Sequence, residues 1–277
     1  MIRSNVVVEL QGGLGNQLFG WAAGYVLSQK LNCTLVLDIS HLSERGYQLD
    51  QFEFSRDLQC INKEKSLIVK ISERINSSIF EEKSFRYDQR FDKILTPHIL
   101  RGYFQSWKYH YLFESELYSK VSRLREESSQ LKSLKNKFDF SEVIAIHVRR
   151  GDYKGLSHIH GIVGPEYYNR ALRENFIIHQ RRFPYIVFSD EPHEAKPVIP
   201  GAIAYIGPHD LESPAENLVL MSSCRALIGA NSTFSLWAGL IMTSNSKTCI
   251  FPQPWFADES LDDSDLLPVE FIRLNSI

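Results

Sequence analysis

The chain reads as an α/β protein of two Rossmann-like halves, each built on a parallel sheet, and three observations predict this. The second half alternates short apolar runs with helical segments, the pattern of a parallel sheet covered on both faces. The N-terminus opens with an apolar run, a glycine-rich loop and a helical apolar pattern, which is one strand–loop–helix unit. A length of 277 residues suffices for two units of roughly 130 residues each. With 43% hydrophobic and 12% aromatic residues, the chain has material for two cores.

The elements follow in order. Val6-Val7-Val8-Glu9-Leu10 predicts a strand over 5–10. Leu18, Phe19, Trp21, Ala22, Tyr25 and Val26 fall at helical spacing and predict a helix over 16–31, followed by a strand over 34–38. An irregular stretch carries Phe52, Phe54, Phe80, Phe85, Tyr87 and Phe91, which read as core filling. The segment Leu95 to Trp107, with Arg101-Gly102-Tyr103-Phe104-Gln105, lies between the halves and suits an acceptor wall. Leu117, Val121, Leu124, Leu131 and Leu134 predict one long amphipathic helix over 110–136. The division is expected near residue 140, giving domains 1–140 and 141–277.

In the second half the pattern predicts strand 143–148, helix 165–179, strands 185–189 and 202–206, helix 214–223, strand 226–230, helix 233–243 and strand 248–252. Ser213-Pro214-Ala215-Glu216 is a capping box with proline at the first helical position. The acidic tail from Ala257 is expected to be partly ordered at best.

Composition narrows the function. A net charge of −2 excludes a general nucleic-acid binder. Cys33, Cys60, Cys224 and Cys249 form no CxxC pair and read as reduced core residues. No run of 18 apolar residues predicts a transmembrane helix, and the chain starts on a strand without a leader. A cytoplasmic location is the expectation.

Three segments carry chemistry. Ile146-His147-Val148-Arg149-Arg150-Gly151-Asp152-Tyr153 turns cationic at once after an apolar strand. Its arginine forks suit phosphate oxygens, and it is placed where ligands bind parallel sheets, at a C-terminal strand end. A solvated Arg-Arg pair beside an Asp turn is the plainer reading. Gln11-Gly12-Gly13-Leu14-Gly15-Asn16-Gln17 is a glycine loop, but Leu18 stands where a dinucleotide fingerprint needs glycine, and no P-loop Lys-Ser/Thr follows. Its amides, Gln11, Asn16 and Gln17, suit sugar hydroxyls better than pyrophosphate. Asn231-Ser232-Thr233 joins a buried strand to an apolar helix, so hydroxyls and free N–H groups make an anion site or a simple N-cap.

Taken together, His147-Val-Arg149-Arg150-Gly151-Asp152-Tyr153, Gly12-Gly13-Leu14-Gly15-Asn16-Gln17-Leu18-Phe19 and Asn231-Ser232-Thr233-Phe234-Ser235-Leu236-Trp237 resemble the three hallmark segments of α-1,2-fucosyltransferases. They stand in that family's order, and the resemblance spans residues 5 to 255. It implies a GT-B fold, two Rossmann-like domains facing each other across a cleft. It also implies GDP-fucose as donor, inversion at the fucose anomeric carbon and no metal cofactor. The acceptor implied is the 2-hydroxyl of a terminal β-galactose on an oligosaccharide or O-antigen precursor. The missing membrane anchor points to a bacterial, membrane-free member.

Breaking the bond from fucose to phosphate builds charge on the β-phosphate, which needs fixed cations or N–H dipoles. On this reading His147, Arg149, Asn231, Ser232 and Thr233 hold the donor, and Asp190 or Glu191 accepts from the guanine edge. Asp190 also reads as a helix cap. Gln11, Asn16 and Gln17 meet the acceptor, and Arg149, Asp152 and Asn16 are the expected catalytic residues. A base for the galactose hydroxyl is expected. Asp152 is the first candidate, and it equally suits an ion-pair partner orienting Arg149 or Arg150. His158 and His160 come second, and a very dissociative transition state needs no strong base. Asp263-Ser264-Asp265 matches a DxD metal signature but sits in the tail, after the last expected strand. A noncatalytic sugar- or nucleotide-binding module is the alternative from another class, and a dinucleotide oxidoreductase the third. The sequence leaves the acceptor beyond galactose and the oligomeric state open.

Overall fold

A computed structural model describes residues 5–42, 46–62, 78–96, 98–151, 153, 155, 157–243 and 247–276. The chain divides into two compact units, Met1–Lys120 with Ser264–Leu267, and Val121–Asp263 with Pro268–Ile277. The expected boundary near 140 falls inside the second unit.

The first unit holds β1 (Asn5–Glu9), α1 (Leu14–Leu31), β2 (Thr34–Asp38), β3 (Gln59–Ile61), β4 (Ser78–Glu81) and β5 (His98–Arg101), and α2 (Glu114–Val121) ends at the division. Its strands pair in the order β3-β2-β1-β5-β4, all parallel. Helix α1 is apolar nearly all round and therefore buried, with Leu18, Phe19 and Trp21 inaccessible to solvent. It lies close on the sheet because Gly24 has no side chain. A Cβ there would stand 2.4 Å from Val8 Cγ2 and 2.8 Å from Leu35 Cδ1.

The second unit contains α3 (Ser129–Lys137), β6 (Ile144–Val148), α4 (Ser157–His160), α5 (Pro165–His179), β7 (Tyr185–Ser189), α6 (Pro192–Val198), β8 (Ala204–Ile206), α7 (Pro214–Ser223), β9 (Ala226–Ile228), α8 (Thr233–Thr243), β10 (Thr248–Gln253) and β11 (Ile272–Asn275). The sheet order is β11-β10-β9-β6-β7-β8, again all parallel. The chain runs outward from β6 to β8, then returns to β9 on the other side. This is the order of dinucleotide-binding sheets, with its switch point between β6 and β9. Ile144, Ile146, Val187, Ile228 and Ile250 join Tyr167, Tyr168 and Ala171 of α5 in one core cluster.

Four expectations are corrected here. The helix expected over 110–136 is two helices, α2 and α3. Ser128 breaks it by capping α3, its Oγ accepting from Leu131 N at 3.0 Å. The capping box of α7 is only half formed: Ser213 Oγ accepts from Glu216 N at 3.3 Å. The Glu216 carboxylate turns instead to Ser128 N at 2.7 Å and Ser128 Oγ at 2.9 Å, which ties α3 into the second unit. The tail is ordered through residue 276. β11 pairs with β10, and Leu266, Leu267 and Phe271 are buried, apolar anchors that its acidic composition conceals. Cys60 is exposed, so it is no core residue, whereas Cys224 and Cys249 are buried and all four thiols are free.

Gly24→Ala should destabilise the protein by about 1–3 kcal/mol, the usual cost of overpacking a filled core. A urea melt followed by circular dichroism reads this directly, and an unchanged midpoint would show that α1 can shift off the sheet freely.

Candidate functional site

The second unit gathers its distinctive side chains at the C-terminal edge of β6, β7 and β9, at the switch point where open α/β sheets bind ligands. Two tyrosines of α5 hold this edge from below. Tyr168 Oη donates to His147 O at 3.0 Å, and Tyr167 Oη donates to Gly229 O at 2.9 Å. Asp190, just past β7, organises the turn after β6. One of its carboxylate oxygens accepts from Arg150 N at 3.0 Å, and the other pairs with Arg149 Nη1 at 3.2 Å. Gly151 makes this approach possible, because a Cβ there would lie 2.6 Å from Asp190 Oδ2.

The two arginines therefore differ. Arg150 is 7% exposed and turns inward, its Nη2 donating to Val163 O at 2.9 Å. Arg149 stays at the edge, held by Asp190, with its guanidinium over the Tyr153 ring at 5.6 Å. Tyr153 is itself fixed, donating to Asn231 O at 2.8 Å and stacking on His160 at 4.6 Å. His147 is 3% exposed beside the Phe234 ring. Burial, and next the Arg149 charge, push its pKa down to about 3, so it is neutral at physiological pH. Its Nδ1 has no hydrogen-bond partner among the described residues. His147 can thus offer a neutral hydrogen bond but no cation to a phosphate.

Asn231, Ser232 and Thr233 lead from β9 into α8, as expected, but the Asn231 amide is spent on structure. Its Nδ2 donates to His160 O and, at 3.0 Å, to Trp255 O. Ser232 is buried, and Thr233 is half-exposed at the helix start. Glu191 is exposed and precedes the proline that opens α6. Asp152 lies outside the described residues. His158 is exposed on α4 and His160 is half-buried behind Tyr153.

In the first unit the corresponding edge lies between β1 and β5. Asn16 is half-buried, and its Oδ1 accepts from Gln105 Nε2 at 3.1 Å. Gly12 has φ +71°, and a Cβ there would stand 2.5 Å from Asn16 Nδ2, so this turn takes glycine on both counts. Gln17 is reassigned from the acceptor set. It is inaccessible to solvent, its Nε2 donates to Gly12 O at 3.0 Å and Gly46 O at 2.9 Å, and its Oε1 accepts from Gln48 N at 2.9 Å. That amide ties the loop together and has no group left for a glycan. Gln11 remains half-buried in the same loop.

Several residues at this edge escape the sequence reading. Glu9 ends β1 and takes a two-point ion pair from Arg101 at 2.8 and 2.9 Å. Asp38 ends β2, and Glu9, Asp38 and His41 bring their ligand-type atoms within 4.8 Å of one another. Both Glu9 oxygens serve Arg101, so the group reads as an ion-paired strand edge. Glu82, just past β4, accepts from Tyr103 N at 2.8 Å and Phe104 N at 2.9 Å. Burial pushes its carboxyl up to about 7, against the downward pull of those two N–H groups. The Asp-Ser-Asp segment is engaged elsewhere. Asp263 accepts from Trp255 N at 2.6 Å within the second unit, and Asp265 pairs with Lys108 within the first.

The fold is shared with glycosyltransferases of solved structure. The fucosyltransferase NodZ from Bradyrhizobium matches with a TM-score of 0.55 at 16% identity, covering 87% of this chain and 94% of that one. A family 9 glycosyl transferase from Veillonella parvula DSM 2008 matches with a TM-score of 0.52 at 9% identity, over 99% of this chain and 87% of the other. The family model for glycosyl transferase family 11 matches residues 3–274, and the chain belongs to that family. It is 30% identical to the O-antigen biosynthesis glycosyltransferase WbnK of Escherichia coli, over 90% of this chain and 94% of that protein. It is 27% identical to an alpha-1,2-colitosyltransferase of Escherichia coli, over 98% and 99%. Among the described residues no helix is long and apolar enough to cross a membrane.

The raised carboxyl of Glu82 has a consequence for stability. A folded pKa of about 7, above the ordinary carboxyl value of 4.5, means that the neutral form suits the fold. That contribution is whole below pH 4.5 and is lost as pH rises through about 7. Glu82→Gln, which stays neutral, should therefore be more stable than the parent at pH 8, by something on the order of 1–3 kcal/mol. The gap should close toward pH 4.5. Thermal melts across that range decide, and a gap that widens on acidification contradicts the assignment.

Proposed function

We propose that this glycosyltransferase inverts and transfers L-fucose from GDP-fucose to the 2-hydroxyl of a terminal β-galactose, forming an α-1,2 linkage on an oligosaccharide or O-antigen precursor. The observation that carries the donor half is Arg149. It is pinned by Asp190 at the switch point, one loop away from the start of α8. A guanidinium and a helix N-terminus supply fixed positive charge where the leaving β-phosphate gains negative charge. The bond from the anomeric carbon to the phosphate oxygen breaks, the galactose oxygen bonds to that carbon from the opposite face while its proton passes to a base, for which Asp152 is the first candidate, and GDP departs.

The acceptor half rests on Asn16 and Gln11, neutral amide carriers suited to hydroxyls and lacking charge for phosphate. Domains follow the same division: the first unit takes the acceptor and the second the donor. The relatives point to O-antigen assembly and to an α-1,2 linkage. We place the reaction in the cytoplasm, where nucleotide sugars are made.

One observation favours a second donor. One relative, matched over 99% of its length, is a colitosyltransferase, and colitose is the 3-deoxy counterpart of L-fucose. The two readings separate by incubating the protein with GDP-fucose, GDP-colitose and GDP-mannose, each with lactose, and measuring GDP release and product linkage. Fucosylated lactose linked α-1,2 supports the first reading. Faster turnover with GDP-colitose supports the second, and no turnover with any donor favours a binding module.

Arg149→Ala should lower turnover by about a hundredfold or more, the scale of losing one electrostatic stabiliser. Arg149→Lys should restore little, since a point charge does not replace the fork. A variant keeping roughly half its activity would remove Arg149 from the donor site.

Positive charge at this edge comes from the protein itself, so transfer should proceed at full rate in excess EDTA. Activity lost in EDTA and regained with Mn²⁺ would instead direct attention to Glu9, Asp38 and His41, whose ligand-type atoms lie within 4.8 Å of one another.

A further inference from the structure

Glu82 sits under the segment that follows β5. Its backbone N donates to Arg101 O at 2.9 Å, and its Oε2 accepts from both Tyr103 N and Phe104 N. The segment it grips is strained. Gly102 has φ +152°, and Phe104 has φ +52°, a left-handed conformation that a bulky residue rarely adopts. A Cβ on Gly102 would stand 2.5 Å from Glu82 Cβ, so the contact is tight. Phe104 is fully buried, with ring centroids 5.2 Å from Tyr109 and 6.2 Å from Phe80. The next residue, Gln105, is 7% exposed and donates to Asn16 Oδ1.

These contacts form one line. The carboxylate holds two N–H groups, the strained turn they belong to aims Gln105, and Gln105 fixes which way the Asn16 amide faces. With its oxygen bonded to Gln105, the Asn16 amide has its NH₂ group left as a donor, on the side of Gly12. We infer that Glu82 is the positioning residue of the acceptor-side edge, acting through the 102–105 turn and Gln105 to orient Asn16 toward an acceptor hydroxyl. The inference rests on the reading that Asn16 meets the acceptor. The Tyr109 hydroxyl and Asp88, itself paired with Arg90, face the same carboxylate.

The test uses the full chain with lactose as acceptor and GDP-fucose as donor. Glu82→Asp keeps the carboxyl group but is one methylene short of the two N–H groups. Glu82→Gln keeps an oxygen in reach of both. Glu82→Asp should raise the lactose KM by about fivefold or more, the scale of one lost hydrogen bond. The KM for GDP-fucose should not move, and Glu82→Gln should stay within about twofold of the parent in lactose KM. In an Asn16→Ala background, Glu82→Asp should add nothing to the lactose KM, because the two act in series. Amide hydrogen exchange at 103–105 should quicken in Glu82→Asp and not in Glu82→Gln. Full additivity with Asn16→Ala, equal losses in both KM values, or unchanged exchange at 103–105 overturns the inference. If Asn16→Ala alone leaves the lactose KM unchanged, the acceptor reading fails instead, and exchange still decides whether Glu82 holds the turn.

Discussion

The edge at the C-terminal ends of β6 and β7 depends on one carboxylate. Asp190 satisfies Arg150 N with one oxygen and holds Arg149 with the other. Remove it and the turn after β6 loses both its backbone anchor and its guanidinium geometry. The demand extends to neighbours: Gly151 must lack a side chain, and Arg150 must turn inward to Val163 O. A charge-assisted pair at a partly buried site is stronger than an exposed one, and fixed geometry is what electrostatic catalysis requires. Asp190, expected at the guanine edge, pairs here with Arg149, the orienting contact that the sequence also allowed for Asp152.

The two sheets share an architecture but carry different groups at their edges. Each is wholly parallel and each gathers its polar groups where the strand order reverses. In the second unit that edge carries a guanidinium, a neutral buried histidine and a helix start. In the first it carries amides and an ion-paired glutamate, Glu9 with Arg101. Charge suits a diphosphate, and neutral amides suit hydroxyls. This difference supports giving the donor to one unit and the acceptor to the other.

Much of the fold was legible because parallel strands and buried helices write strong patterns. Helices 165–179, 214–223 and 233–243 fall where periodicity places them. Short edge strands such as Gln59–Ile61 and Ser78–Glu81 carry too few apolar residues to show a period, and Ile272–Asn275 hides in an acidic tail. Local signals also misled where tertiary contacts won. Glu216 reads as a capping partner yet binds Ser128, and Gln17 reads as a ligand amide yet closes its own loop. Arg149 was visible because a cationic pair after an apolar run is unusual. Glu82 was not, since Glu81-Glu82-Lys83 looks like any solvated turn and its role arises only from backbone N–H groups of a distant segment.

A crystal structure of the protein with GDP would show where the diphosphate sits. The pyrophosphate should lie between the Arg149 guanidinium and the N–H groups at the start of the 233–243 helix, with the loop 11–17 free of phosphate. Pyrophosphate seated on Gly12–Asn16, with Arg149 still bound only to Asp190, would contradict this placement and exchange the roles of the two units.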